Sequence, residues 1–376
     1  MQRIKVAPRD NWRARVEEHG LACHTPNGQT YWDESVCYRF TAPEVDQIEA
    51  ATEELQRLCL LAGQYIIDNN RFDDLRIPAD ARLAIRNAWE AEPPSLYGRF
   101  DLIYDGTSPP KMLEYNANTP TSLLEASVIQ WYWLQDTRPD HDQFNSLHEK
   151  LIAKWTELKP FLKGSPLYFT SMKDVEDLMT VTYLRDTAQQ AGLKTEHLFV
   201  GELGWNAGNH TFRDLQEHPI TSIFALYPWE WLLKDFADPI LRTYPQMDWI
   251  EPIWKMMWSN KGLLAILWEM FPNHPNLVPA FFDGPRNMKE YVRKPLLSRE
   301  GANITIHQAG DTFSTEGTYG EEGYVYQHLL KPKLFDDQTA VIGSWYVMDQ
   351  GAAGMGIRES TGVTTNLSRF VPHYFE

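Results

Sequence analysis

Cysteine is scarce in this chain. Cys23, Cys37 and Cys59 are the only three among 376 residues, and they lack the paired spacing of a zinc site. They read as reduced thiols in a cytosolic, that is cytoplasmic, protein. Long apolar runs are missing too: no stretch approaches the roughly 20 apolar residues of a membrane span. The N-terminus, Met-Gln-Arg-Ile-Lys-Val-Ala-Pro-Arg-Asp, is basic but has no apolar core behind it, so no secretory signal and no membrane partner are expected. Positive charge is in deficit, with 35 Lys and Arg against 51 Asp and Glu. The resulting formal charge of −16 argues against a nucleic-acid surface and fits solubility or a cationic partner. Two common nucleotide loops are also absent, since neither GxxxxGK[ST] nor a GxGxxG between strand and helix occurs.

The residues that are present describe a globular chain with 43% apolar content and 14 tryptophans, long enough to bury a large core. Residues 42–69 carry Val45, Ile48, Leu55, Leu58, Leu61 and Ile66 at helical spacing behind Thr41-Ala-Pro-Glu44, a capping box. Ser122-Leu-Leu-Glu125 reads as a second capping box before an aromatic helix over 122–136, and 144–158 fits a third helix. Short strands then follow at Leu167–Phe169, His197–Val200 and Ile223–Tyr227, with helical stretches between them. After a helix near 261–271 the chain turns strand-rich: Tyr291–Lys294, Asn303–His307, Tyr324–Leu330 and Ala340–Met348. The last is expected to continue through Gly351, Gly354 and Gly356, glycines that suit close strand packing, into Arg358. This is α+β architecture with a mixed middle and an antiparallel C-terminal part. No linker is visible, so 1–376 is read as one unit.

Chemistry concentrates first in "RFDLIYDGTSPPKMLEYNANTPTS", residues 99–122. Period-two alternation places Arg99 with Asp101, and Glu114 with Asn116, on common faces of a hairpin. Asp101, Glu114 and Asn116 are hard oxygen donors of the kind that hold magnesium against phosphates, although such hairpins also occur as plain solvated surface. Thr119, Thr121 and Ser122 follow, and a helix starting at Ser122 would aim its free amides at an anion, with Arg99 as a planar donor. Lys261 opens an apolar helix and Lys294 ends a strand. Each also fits an ordinary surface lysine, but Lys294 runs into the flexible turn Ser298–Asn303, whose Gly301 would let it close over phosphates.

These motifs together resemble the synthetase domain of the glutathionylspermidine synthase family, closest to its stand-alone bacterial relatives. The resemblance rests on "RFD … EYNA", "NK" before an apolar helix, "FPNHP", "VRKP" before a glycine turn, "YQ" on a strand and "GxxxR", in order from about Trp32 to Tyr374. It implies an ATP-grasp fold with a permuted order of metal and lysine motifs, as in eukaryotic glutathione synthetase, and a lid near 285–335. It implies ATP and Mg2+ as cofactors, with small-molecule carboxylate and amine substrates joined as an amide through an acyl phosphate. Asp101, Glu114 and Asn116 resemble the metal ligands, and Lys261 and Lys294 the nucleotide-phosphate lysines. Gly301, Asn303 and Gln327 resemble nucleotide-site residues, and Arg99 and Arg358 the arginines facing the acyl phosphate. Thr119, Thr121 and Ser122 fall at the substrate side.

Two departures stand out. No amidase domain is expected, because Cys23 and Cys37 lack a cysteine-protease context and little chain precedes the synthetase region. Arg369, in "NLSRFVPHY", aligns with an acid of the family's polyamine site, which disfavours spermidine and favours an amine carrying its own carboxylate. The same fold also admits an ATP-dependent phosphotransferase without an amine step, or an inactive nucleotide-binding relative. The intact set from Asp101 to Lys294 weighs against the latter.

Overall fold

The two longest strands, Gln338–Val347 and Gly351–Ser360, form an antiparallel hairpin at the centre of the computed structural model, which describes residues 1–362, 364–365 and 368–376. The expected continuous strand is therefore reversed at Met348–Gln350, where Asp349 (φ 62°) and Gly351 (φ 86°) take the left-handed conformations of a tight turn. The expected close packing of the glycines holds: a Cβ on Gly356 would stand 2.5 Å from the Phe370 ring. These strands belong to a sheet ordered Arg369–Val371, Gly351–Ser360, Gln338–Val347, Tyr97–Ile103, Lys111–Asn116.

Helix Ala42–Asp68 covers this sheet, burying Val45, Ile48, Leu55, Leu58 and Ile66, whereas Leu61 faces solvent with 42% exposure. Its capping box forms as read, with the Thr41 N–H donating to Glu44 Oε2 at 2.8 Å. The second box does not form. Ser122 sits at φ 64°, outside the extended range of an N-cap, and Glu125 turns away to accept a hydrogen bond from Tyr31. The turn Glu125–Ile129 is π-helical before Gln130–Thr137 continues as α-helix.

The mixed middle is a parallel sheet, Asp248–Ile250, Ser222–Leu226, Leu167–Ser171 and Thr195–Phe199, flanked by helices Leu147–Leu158, Val175–Gln190 and Trp229–Thr243. The strand-rich region after helix Leu263–Met270 forms a five-stranded antiparallel sheet from Ala280–Phe281 to Asp311–Ser314. A small sheet of Gln2–Lys5, Val36–Phe40 and His373–Phe375 ties the two chain ends together. Asn366 and Leu367 of the "NLSRFVPHY" stretch lie outside the described residues. Among the described residues no helix is long and apolar enough to cross a membrane.

Candidate active site

Strand register brings the hairpin's polar residues together. Arg99 stands opposite Asn116 and Asp101 opposite Glu114. Arg99 grips Asp101 with two hydrogen bonds, Nε–Oδ1 at 2.7 Å and Nη2–Oδ2 at 3.2 Å, while Nη1 donates to Thr121 O at 2.6 Å. Gly343 on the next strand makes room for it, since a Cβ there would lie 2.8 Å from Arg99 Cδ. Asn116 Nδ2 reaches Asp101 Oδ2 at 3.2 Å and Glu114 Oε1 at 3.3 Å. The register shift beyond Asp101 leaves Leu113 as an extra residue, and its carbonyl accepts from Lys294 Nζ at 3.0 Å.

The two lysines converge on this hairpin from the five-stranded sheet and from the start of helix Leu263–Met270. Lys261 Nζ lies 3.1 Å from Glu114 Oε2 and donates to Ser298 O at 2.6 Å. Lys294 Nζ also donates to Gln327 Oε1 at 2.7 Å, and Gln327 Nε2 donates to Met112 O at 3.3 Å, so this glutamine orients the lysine as it borders the cleft. Burial alone would raise the Glu114 carboxyl, but the Lys261, Lys294 and Arg99 charges prevail and hold it down at about 2. Burial lowers the Lys294 ammonium to about 8, although neighbouring Glu114 opposes the shift. The result is a carboxylate favoured in its ionised form beside two lysines.

The donor set fits magnesium. Two carboxylates and a carboxamide of one hairpin face are too few for a closed protein cage, and among the described residues no group of three or more His, Cys, Asp or Glu could hold a metal. Magnesium is bound in this way, by one or two carboxylates completed by phosphate oxygens and water.

A cleft of about 1310 Å³ runs from this cluster past Thr119, Thr121 and Ser122 to a second half built by other elements. There Arg358 donates to Ser122 Oγ, to Tyr31 OH at 3.3 Å and to Thr365 O at 3.1 Å. Arg299 reaches from the turn after Lys294 to Thr119 Oγ1 at 2.7 Å and to Glu230 Oε1 at 2.9 Å. Gly301 lines the cleft beside it, whereas Asn303 braces the turn from outside, its Oδ1 accepting from Tyr319 N at 2.7 Å.

Sequence reasoning missed the acids of this half. Asp174, Glu176 and Asp177 line it at the start of helix Val175–Gln190, where Asp174 accepts from the N–H groups of Glu176 and Asp177. Burial, reinforced by Asp174 and Glu176, raises the Asp177 carboxyl to about 7. Glu176 lies 3.7 Å from Arg358, and its Oε1 has no hydrogen-bond partner among the described residues. One cap and first-turn acids look ordinary in a sequence. The available signal was their number, set among the apolar Met172, Val175 and Met179 that line the same cleft.

Arg369 does not join the site. It is absent from the cleft lining, and its guanidinium is occupied by Asp33 and Glu359, each at 3.0 Å, and by Gln338 Oε1 at 3.0 Å. It braces the edge strand Arg369–Val371 and stands apart from the other residues expected at the site.

Comparison with known proteins identifies the family and the fold. The family model described as glutathionylspermidine synthase preATP-grasp matches residues 3–376. A Haemophilus influenzae protein, whose name gives it provisionally as an acid–amine ligase, is 43% identical over 365 residues, covering 93% of this chain and 92% of its own length. The trypanothione synthetase of Crithidia fasciculata is 26% identical over 336 residues, 81% of this chain, which spans only about half of that relative (51%). Among solved structures, a glutathione synthetase-like effector from Globodera pallida superposes with a TM-score of 0.60 at 10% identity, over 99% of this chain and 98% of that one. The fold is thus that of the glutathione synthetase-like ATP-grasp proteins.

Proposed function

The chain belongs to the glutathionylspermidine synthase family, and we propose that it is an ADP-forming carbon–nitrogen ligase that joins a peptide-like or amino-acid-like carboxylic acid to a cationic amine. One observation carries this reading. A single cleft is lined both by Asp101, Glu114, Asn116, Lys261 and Lys294, a set suited to a metal and phosphates, and by the acids Asp174, Glu176 and Asp177 beside Arg358.

The chemistry follows from the distribution of charge. A carboxylate is a poor acyl donor, so its oxygen first attacks the γ-phosphorus of ATP, releasing ADP and giving an acyl phosphate. That step brings anions together. The Lys261 and Lys294 ammonium groups offset the repulsion at the phosphates, and Arg358 does so at the acid. Magnesium held by Asp101, Glu114 and Asn116 would supply further neutralisation of the phosphate charge. The bound ammonium first gives up one proton to become a nucleophile. The free amine attacks the acyl carbon, the C–O bond to phosphate breaks, and the nitrogen loses a second proton, to the released phosphate or solvent, as the amide forms.

Asp174, Glu176 and Asp177 are suited to hold that amine while it is still an ammonium. The five-stranded sheet with the Ser298–Asn303 turn would act as the lid that keeps water from the acyl phosphate. An ADP-release screen of acid and amine pairs with magnesium and ATP tests the reading. Multiple-turnover ADP formation is expected only where a cationic amine accompanies the acid, with amide appearing in equal amount; without amine, no more than one ADP per enzyme should form. Full-rate ADP release without any amine would replace this reading with a phosphotransferase.

A further inference from the structure

The guanidinium groups of Arg99, Arg299 and Arg358 in the cleft lining, and of Arg369 outside it, differ in how they are held. Arg99 is spent on Asp101, Arg299 on Glu230, and Arg369 on Asp33 and Glu359. Arg358 alone of these four makes every hydrogen bond to a neutral oxygen: Ser122 Oγ, Tyr31 OH and Thr365 O. Its nearest carboxylate, on Glu176, stands 3.7 Å away, and its buried Nε has no hydrogen-bond partner among the described residues. The guanidinium also lies over the Tyr31 ring, 5.8 Å from its centroid.

Tyr31 is itself fixed. Its hydroxyl donates to Glu125 Oε1 at 2.6 Å, and both residues are almost wholly buried. Glu125 begins the π-helical turn, and that turn is pinned from behind by Gln130, whose Nε2 donates to Met355 O at 2.8 Å. Wide turns of this kind commonly re-aim a side chain at a functional site. Burial pushes the Tyr31 phenol and the Glu125 carboxyl upward, which favours the uncharged form of each.

We propose that Tyr31 and Glu125 are positioning residues, a relay that fixes the Arg358 guanidinium without cancelling its charge and so leaves it free for the acid substrate's carboxylate. A close ion pair would orient the arginine equally well, but an incoming anion would then have to displace a carboxylate. Neutral acceptors avoid that competition. The identity of the anion rests on the ligase reading; the holding of Arg358 does not.

The relay needs an oxygen acceptor at position 125, not a negative charge. In arginine-labelled, ligand-free protein, NMR can measure rotation about the Arg358 Nε–Cζ bond, with Arg358→Lys identifying the signal. Rotation should be slow in the unmodified protein and in Glu125→Gln, and about tenfold faster in Tyr31→Phe and Glu125→Leu, the scale of losing one hydrogen bond to a charged group. Thermal unfolding and ATP calorimetry on each variant identify any that misfold, and Tyr31→Phe, which removes one oxygen atom, is the mildest of them. Equal rotation in all folded variants would overturn the proposal, as would a Glu125→Gln protein that behaves like Glu125→Leu. No acid or amine enters this measurement, so failure of the ligase reading would show separately, in the ADP-release screen.

Discussion

The two halves of the cleft are organised on opposite principles. At the hairpin end, unlike charges already pair: Glu114 lies 3.1 Å from Lys261, and Arg99 holds Asp101 of its own strand at 2.7 Å. At the other end, three acids gather near Arg358 and Arg299, and burial together with its acidic neighbours still raises one of them, Asp177, to about 7. The first half resembles a site pre-assembled for an anion with its metal, whose charges rearrange when the ligand enters. The second gathers acidic groups that a bound cation, or a proton on Asp177, would relieve. On the proposed reading, charge balance more than cavity shape separates the nucleotide end from the amine end.

The largest expected effect breaks the first half. Glu114→Ala should lower turnover by about a hundredfold or more while leaving the fold intact, the size seen when a charge-stabilising group is removed. ADP release and circular dichroism together check this; normal turnover would remove Glu114 from the site. Replacing Lys261 or Lys294 with Met should weaken ATP binding by roughly tenfold or more, read by calorimetry, with less effect on the acid. Lys294 adds a pH signature. Its ammonium is lowered to about 8, so above that pH the free protein must take up a proton to bind phosphate, and ATP affinity should fall as pH rises through 8. A flat profile in the unmodified protein would show that Lys294 does not meet the phosphates.

The second half responds more gently. Asp177→Asn should raise the KM for the amine by about tenfold and leave ATP affinity alone. Because the carboxyl ionises near 7, amine binding by the unmodified protein should strengthen as pH rises through 7, and Asp177→Asn should flatten that rise. The smallest effect on activity is expected at Arg369. Arg369→Ala removes one cation from buried Glu359, which keeps Arg3 at 2.6 Å, and so should cost about 1–3 kcal/mol of stability without changing amine preference. A changed preference among anionic and cationic amines would return Arg369 to the amine site.

Legibility in the sequence followed the same division. The hairpin was readable because alternation fixes which side chains share a face, and the register then brings Arg99, Asp101, Glu114 and Asn116 together. Helix Ala42–Asp68 was readable from its cap and apolar spacing. The Ser122 box misled because the Ser-x-x-Glu pattern is silent about φ, and here a buried tyrosine competes for the glutamate. The partners of Arg369 were not readable, because linear position says nothing about which carboxylates surround a side chain. Tyr31, far away in the chain, reaches the cleft only through tertiary packing, which local patterns do not encode.

Central to the proposed mechanism is that the acid's own oxygen attacks ATP before the amine attacks the acyl carbon. Supplying the acid with its carboxylate labelled in 18O, together with ATP, magnesium and the amine identified by the screen, tests it most directly by mass spectrometry of the released phosphate. Passage through an acyl phosphate predicts one 18O atom in each phosphate and the other in the amide. Phosphate free of label, formed while amide accumulates, would contradict it.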